Sequence, residues 1–529
     1  MPTSPDTYPD TEVLIAGAGP TGLVLALWLV RLGIRIRIID KNPYPAAHSR
    51  ALAVQARTLE FYSQLGFAHE LVEYGHRIAA ANVWVSGRRV ARAPFGDLGT
   101  GLSPFPFVLI FPQDEHEPLL IRHLTELGIH VERPTELLSF TESPNASGKP
   151  ITAQLRLADG SEQTCRCSFL AGCDGARSVV RQSLHIGFPG GEYTHLFYVA
   201  DVTATGPVAN GELHVALDDA DFLAIFPLDD KGRLRLVGTI RAELAEQAER
   251  THSELSWNDV SKRVMEWLRV DVQRVNWFST YRVHHRVAEH FRNGRAFLLG
   301  DAAHIHSPVG GQGMNTGIGD AVNLSWKLAD VLRNRAPTSI LDTYEPERSA
   351  FARRLVSTTD QAFTAVTSPS DLARIIRLHI VPHLLPALLS SSKVRPFLFR
   401  TVSQTAINYR QSDLSEGRTG KLHAGDRLPW LQITVGPKNP HVDNFAPLAS
   451  LAWQVHIYST WVCPDISRLC RQRGIAFHVL PWQPEFTRSG IVENAAYLIR
   501  PDGYIAFADP AAKARNLAAY LDAHGLAFV

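Results

Sequence analysis

Three glycines, Gly17, Gly19 and Gly22, mark the passage from the apolar run Glu12 to Ala16 into a second run, Thr21 to Leu32. This spacing suits a pyrophosphate. The first glycine permits a sharp turn, the second lets backbone approach the phosphates, and the third lets helix and strand pack closely. Pro20 and Thr21 open the second run, and a helix starting there aims its positive N-terminal dipole at the phosphates. A third run, Ile34 to Ile39, ends at Asp40, 23 residues after Gly17, with Lys41 beside it. A carboxylate at that distance receives the ribose hydroxyls of an adenine dinucleotide. The fingerprint alone leaves FAD and NAD both open.

Two later segments carry the same texture of a strand ending in glycine and acid. Phe169-Leu170-Ala171-Gly172 leads into Cys173-Asp174-Gly175-Ala176-Arg177, and Val179-Val180-Arg181 then begins a helix. Ala296-Phe297-Leu298-Leu299 leads into Gly300-Asp301, followed by the glycine-crowded stretch Pro308-Val309-Gly310-Gly311-Gln312-Gly313-Met314-Asn315. A helix is expected to begin near Met314, with leading amides suited to stabilising negative charge.

The elements that must hold these residues follow from their patterning. Val13 to Val30 has only Thr21 as a polar residue, long enough to suggest a membrane span. The Gly-Pro break inside it argues for strand, turn and helix, hence a βαβ unit on a parallel sheet covered on both faces. Residues 80–107 and 193–283 alternate in the manner of strands, as in Phe222 to Phe226 and Leu234 to Ile240, with Asp229-Asp230-Lys231-Gly232 as a turn. Ile375 to Phe399 is apolar but broken by prolines and basic residues, which suits packed helices better than a membrane. From Ala424, strand-like Trp453 to Tyr458, helix-like Asp465 to Arg473 and strand-like Ala476 to Leu480 form a further unit. A hairpin about Pro501-Asp502-Gly503 and a helix from Ala511 to His524 complete it.

Composition narrows the partners. Lysine and arginine total 53 against 52 aspartate and glutamate, so the net charge is +1, which argues against nucleic acid or an anionic membrane as the main partner. No stable membrane insertion is expected. Five cysteines without a CxxC fit neither a disulfide scaffold, a zinc site nor a dithiol centre, and suit a reducing compartment. The polar, Pro-rich start from Met1 to Thr11 does not read as a signal peptide, so a cytoplasmic location is expected. His284-His285 and His304-x-His306 lack a carboxylate-histidine pattern, and no metal is expected.

The three motifs, in this order, resemble those of the single-component FAD-dependent aromatic hydroxylases, the group of p-hydroxybenzoate hydroxylase and phenol hydroxylase. Gly17 to Gly22, Asp174-Gly175 and Gly300-Asp301 match the family's fingerprint, DG and GD motifs, and the likeness runs from Thr11 to Arg348. The resemblance implies an α/β fold. A Rossmann-type FAD-binding domain (1–79, 108–188 and 290–370) would receive an inserted β-sheet substrate domain (80–107 and 189–289). A helical connection (371–423) and a thioredoxin-like C-terminal domain (424–529) would follow, the latter structural or associative, favouring a homodimer. Asp301 would bind the ribityl chain beside Gly300, while Pro308, Gly310, Gly311, Gly313, Met314 and Asn315 would line the flavin. Arg50 and Gln113 fall where the family contacts the cofactor, and Asp174 and Arg177 where it serves FAD and passing NADPH or NADH.

The implied activity is hydroxylation of a phenolic or polyketide-type aromatic by O2 through a flavin C4a-hydroperoxide, with NAD(P)H as transient reductant. Phenolate formation calls for a base or dipole near the substrate, and Tyr281, Arg282 and His284 are candidates by position, with ordinary strand residues as the alternative. In phenol hydroxylase an acid precedes the segment matching Val54 to Glu60. Here Leu52 and Ala53 stand there, so that acid is not carried over. Three rivals stay open. One is Baeyer–Villiger or epoxidising chemistry on the same scaffold. Another is a halogenase, disfavoured by the absence of W-x-W-x-I-P. The third is a non-catalytic flavin-binding protein.

Overall fold

The computed structural model describes residues 10–47, 51–95, 98–143, 150–217, 222–251, 253–306, 311–367, 391, 394–434 and 442–528. The first apolar runs form strand Val13–Ala16, helix Pro20–Arg31 and strand Ile36–Ile39. Val13–Ala16 pairs in parallel with Ile36–Ile39 and with Phe169–Gly172, which pairs in parallel with Ala296–Leu298. A short antiparallel strand, Arg292–Asn293, closes this five-stranded sheet. The central strands are buried throughout, as expected where helices cover both faces. Register decides the rest: Ala16 lies opposite Gly172, and Gly172 opposite Leu298. The three glycine-bearing turns therefore leave the sheet at one edge, although their sequence positions are far apart.

The second layer is an eight-stranded sheet whose long central pair is Gly190–Thr205 and Asp271–Val287. One face carries Tyr198, Ala200, Val202, Leu234 and Leu236 against Ala245, Val264 and Met265 of the helices Ala242–Thr251 and Arg263–Trp267, and against Leu268, which caps the second. On the other face, Leu213, Phe226 and Leu228 pack on Leu52, Ala53 and Ile110 of the first unit. The edge strand of this sheet is His304–Ile305, paired with Arg286 and Val287. That two-residue strand comes from a segment expected to belong wholly to the FAD-binding unit. A three-stranded antiparallel sheet, Glu136–Glu142, Ile151–Arg156 and Glu162–Cys167, was not anticipated, and it buries Cys165 and Cys167.

Residues 416–509 contribute a six-stranded mixed sheet that includes Gln454–Tyr458, Ala476–Leu480, Ala496–Ile499 and Ile505–Asp509. The last helix runs from Ala514 to Ala523, starting later than expected because the Asp509 carboxylate first accepts the amides of Ala511 and Lys513 in a turn. The hairpin turn at Pro501-Asp502-Gly503 is not a solvent loop. It docks on helix Ala56–Leu65, where Gln64 Nε2 donates to Pro501 O (2.9 Å) and Arg57 to Asp502 O (2.6 Å). It also reaches helix Gly313–Leu332, where Trp326 Nε1 donates to the Asp502 carboxylate at 3.1 Å. Most of Ile375 to Phe399 lies outside the described residues. Among the described residues, no helix is long and apolar enough to cross a membrane.

Candidate active site

The three fingerprint glycines have different neighbours. A Cβ on Gly17, whose φ is +102°, would lie 2.2 Å from the carbonyl oxygen of Cys173, and one on Gly22 would lie 2.0 Å from that of Gly17. Both positions are closed by the protein's own backbone. A Cβ on Gly19 would meet nothing within 4 Å. Gly19 is the N-cap of helix Pro20–Arg31, no side chain caps it, and Pro20 stands at the first helical position. The result is an uncapped helix start facing open space, the geometry that accepts a phosphate. Asp40 stands beside it, its two carboxylate oxygens accepting the amides of Ala18 (2.9 Å) and Asn42 (2.8 Å). Each oxygen keeps a lone pair for a ribose hydroxyl. Lys41 is exposed next to it.

The other two turns converge on the same edge. Asp174 accepts from the amide of Val180 through Oδ2 (3.1 Å), while its Oδ1 is buried with no hydrogen-bond partner. Burial pushes the Asp174 carboxyl up from its ordinary range. Arg177 is exposed. A Cβ on Gly300, φ +57°, would lie 2.7 Å from Thr21 Oγ1, and one on Gly317 2.3 Å from the same atom. Thr21 thus joins the fingerprint, the Gly300-Asp301 turn and the long helix Gly313–Leu332. Asp301 is exposed beside buried Gly300.

Several expected cofactor contacts turn out to be busy within the protein. Asn315 Nδ2 donates to the carbonyls of Ala53 and Gly311, both at 2.8 Å, and its Oδ1 accepts from Gln55 N (2.9 Å) and Thr58 Oγ1 (2.7 Å). With two donors and two acceptor positions engaged, Asn315 pins the Ala53 and Gly311 backbones together. A Cβ on Gly311, φ +62°, would lie 2.7 Å from Ala53 Cβ, so close approach explains that glycine. Gly313 begins the helix and Met314 is half-buried against the core. Gln113 heads helix Gln113–Glu126 and donates to Glu117 at 2.7 Å. Arg50, Pro308 and Gly310 lie outside the described residues.

The substrate-side candidates separate by face. Tyr281 lies opposite Phe197, their rings 6.0 Å apart, in a cluster with Val283 and Phe222. Along a strand alternate residues share a face, so Arg282 and His284 point the other way, and Leu196, opposite Arg282, packs with the covering helices. Arg282 Nε lies 3.3 Å and His284 Nδ1 3.8 Å from the carboxylate of half-exposed Glu192. Of the three residues expected to serve the substrate, the sheet turns only Tyr281 toward the first unit.

Sequence reasoning passed over the residues that brace the cradle. Asp320, fully buried, accepts from Gly300 N (3.0 Å) and His304 Nε2 (2.7 Å) through one oxygen and from Arg348 Nε (2.6 Å) through the other. Burial would raise this carboxyl, but Arg348 and His304 hold it below its ordinary range. The available signal was a lone acid within the apolar helical run Ile318 to Leu324. Among the described residues, no cluster of three or more His, Cys, Asp or Glu could hold a metal ion.

An uncapped helix start beside an open glycine, a ribose-distance carboxylate and an orphaned buried carboxylate oxygen together fit a dinucleotide. Residues 10–359 match the FAD binding domain family. The chain belongs to the FAD-dependent aromatic hydroxylases. It is 37% identical over 424 residues to 6-methylpretetramide 4-monooxygenase of Streptomyces rimosus, spanning 78% of this chain and 72% of that protein. It is 31% identical to pentachlorophenol 4-monooxygenase of Sphingobium chlorophenolicum, over 81% of this chain and 77% of that one. The solved structure of anhydrotetracycline hydroxylase from Streptomyces rimosus superposes with a TM-score of 0.78 at 26% identity, covering 98% of this chain and 100% of that one. This hydroxylase, an enzyme with FAD as its cofactor, therefore shares its overall fold with that relative.

Proposed function

We propose that the hydroxylase uses NAD(P)H and O2 to add a hydroxyl group to a phenolic or polyketide-type aromatic. The observation that carries this reading is the face that the eight-stranded sheet presents to the first unit. It holds Phe226, which packs with Ala53 where Gly311 approaches, and a neighbouring apolar and aromatic cluster of Phe197, Tyr281 and Val283. Such a face receives a flat aromatic and keeps water from the reacting atoms. The relatives support it, one being named for a phenol and another for a pretetramide.

Gly19 and the amides that follow it hold the pyrophosphate of FAD, Asp40 its ribose, and Gly300-Asp301 its ribityl chain. Bound FAD, once reduced, supplies an activated oxygen atom from O2. The chain's own part is to orient the aromatic ring and to favour its phenolate, the better nucleophile. Tyr281, on the right face, is the residue proposed to approach the substrate hydroxyl. NAD(P)H binds transiently, since the chain carries one complete dinucleotide fingerprint.

A panel of phenols and aromatic polyketides, assayed for substrate-stimulated NAD(P)H consumption corrected for hydrogen peroxide, tests the proposal. The expected product carries one new ring hydroxyl on an intact carbon skeleton. A lactone or ester would favour the Baeyer–Villiger alternative instead.

The thiols take no part in this reading. All five cysteines are free, Cys470 is buried with its thiol pushed up to about 12, and Cys463 Sγ lies 4.0 Å from Ala512 O. A Cys463→Ser, Cys470→Ala double variant is expected to keep turnover within about twofold of the parent, because the two thiols form no disulfide and burial keeps the Cys470 thiol protonated. A tenfold loss in a folded variant would assign them a redox role.

A further inference from the structure

We propose that Tyr409 is a positioning residue, through which the C-terminal unit sets the Gly300 turn of the cofactor cradle. The inference rests on the placement of FAD given above. Tyr409 precedes the C-terminal sheet and is tied to it twice, by its amide to Gly425 O (2.7 Å) and by its ring, 4.3 Å from that of Tyr504. Its hydroxyl accepts from Arg348 Nη1 at 2.8 Å. The same guanidinium donates through Nε to Asp320 Oδ1 (2.6 Å) and through Nη2 to Thr316 O (3.0 Å). Asp320 then accepts the amide of Gly300 at 3.0 Å and His304 Nε2 at 2.7 Å. Three hydrogen bonds thus lead from a tyrosine of the C-terminal side to a backbone amide of the cofactor turn.

Every member of that chain is buried, with Tyr409 at 5%, Arg348 at 1%, Asp320 at 0% and His304 at 2% exposure. Water cannot replace a lost partner there, so each bond constrains the next. Room for the guanidinium is built in: a Cβ on Gly319 would lie 2.9 Å from Arg348 Nη2. A planar fork with three fixed partners leaves little rotational freedom, and Tyr409 supplies one of the three. Without its hydroxyl, Nη1 is left buried and the fork turns, taking Asp320 and the Gly300 amide with it. The turn then presents Gly300-Asp301 to the ribityl chain at a shifted angle.

Tyr409→Phe removes the hydroxyl and keeps the ring tilted against Tyr504. Tyr497→Phe is its control, removing an equally buried hydroxyl that accepts from Thr419 Oγ1 and Val492 N inside the C-terminal sheet. Three quantities are read on purified protein: the dissociation constant of FAD, the circular dichroism of the bound flavin, and the melting temperature. Tyr409→Phe is expected to weaken FAD binding about tenfold and to alter the flavin dichroism, while Tyr497→Phe lowers only the melting temperature. Parental FAD binding and dichroism in Tyr409→Phe would overturn the proposal, as would equal changes in both variants. Should Tyr409→Phe prove insoluble, Tyr504→Leu, which removes the ring that Tyr409 packs on, reads the same coupling, and parental FAD binding there would overturn it equally. Full FAD retention by Gly19→Val would instead sink the cofactor placement. Loss of FAD in Gly19→Val with parental binding in Tyr409→Phe sinks this inference alone.

Discussion

Gly19→Val is expected to yield a folded, colourless protein whose FAD affinity is reduced at least a hundredfold. Gly19 has φ −76° and ψ −179°, extended backbone that valine adopts readily, and its Cβ would meet no protein atom within 4 Å. The added side chain therefore costs the apo fold little and occupies the space through which the pyrophosphate must approach. A hundredfold loss corresponds to about 2.7 kcal/mol, a modest demand for steric exclusion of a phosphate from a helix start. Gly17→Ala should behave in the opposite way. Its positive φ and a 2.2 Å clash with the Cys173 carbonyl oxygen act on the fold itself, so soluble yield and melting temperature should fall. Melting near that of the FAD-stripped parent together with lost colour in Gly19→Val, measured by thermal scanning and flavin release, separates a ligand-facing glycine from a structural one. A yellow Gly19→Val protein with full FAD content would reject the site.

Glu347→Leu should cost about 3–5 kcal/mol of stability, the largest single loss expected outside the cradle. Glu347 is buried and accepts from Lys327 (2.9 Å), from Arg500 (2.8 and 3.0 Å), from Asn323 (2.6 Å) and from Ser412 (2.6 Å). Burial alone would raise its carboxyl, but Arg500 and Lys327 hold it far below the ordinary carboxylate range. Removing it leaves two cations buried with Asp502 as their nearest anion. Denaturant unfolding of the single variants and of a Lys327→Met, Glu347→Leu double variant should show a coupling of about 2 kcal/mol, because the second change relieves the cation stranded by the first. Additive losses would mean that the cluster is not coupled. The same carboxylates give the pH dependence its sign. Glu347, Asp320 and Glu60 all titrate lower in the folded chain, so the unfolded chain binds more protons as pH falls. Their contribution is complete at neutral pH and is lost as pH drops through and below the ordinary carboxylate range.

That cluster marks how far the sequence could be read. Glu347 and Arg348 close the stretch over which the family likeness runs, yet nothing local announces that Arg500, 153 residues beyond Glu347, closes over that carboxylate. The Pro501-Asp502-Gly503 turn carries ordinary hairpin chemistry, which is the same whether it faces water or a neighbouring helix. Asn315 was legible as a residue of the flavin-side helix. That it also holds Ala53 to Gly311 depends on a contact across 262 positions.

By itself the sequence determined the strand, turn and helix from Val13 to Arg31, the fingerprint glycines, Asp40, and the two later strand-to-turn motifs. Each depends on short-range sterics: φ at a turn, close approach at a helix start, and the apolar runs of strands covered on both faces. Only the tertiary structure decided that the three turns meet, because the parallel register aligns Ala16 with Gly172 and Gly172 with Leu298. It also decided that Tyr281 faces the first unit while Arg282 and His284 do not. The register slips between Glu192 and Leu196, between Asp201 and Val202, and between Thr203 and Ala204, and each irregularity changes which residues lie opposite one another. Side-chain facing is therefore set by pairing with a distant strand, which no local pattern in residues 281–284 encodes.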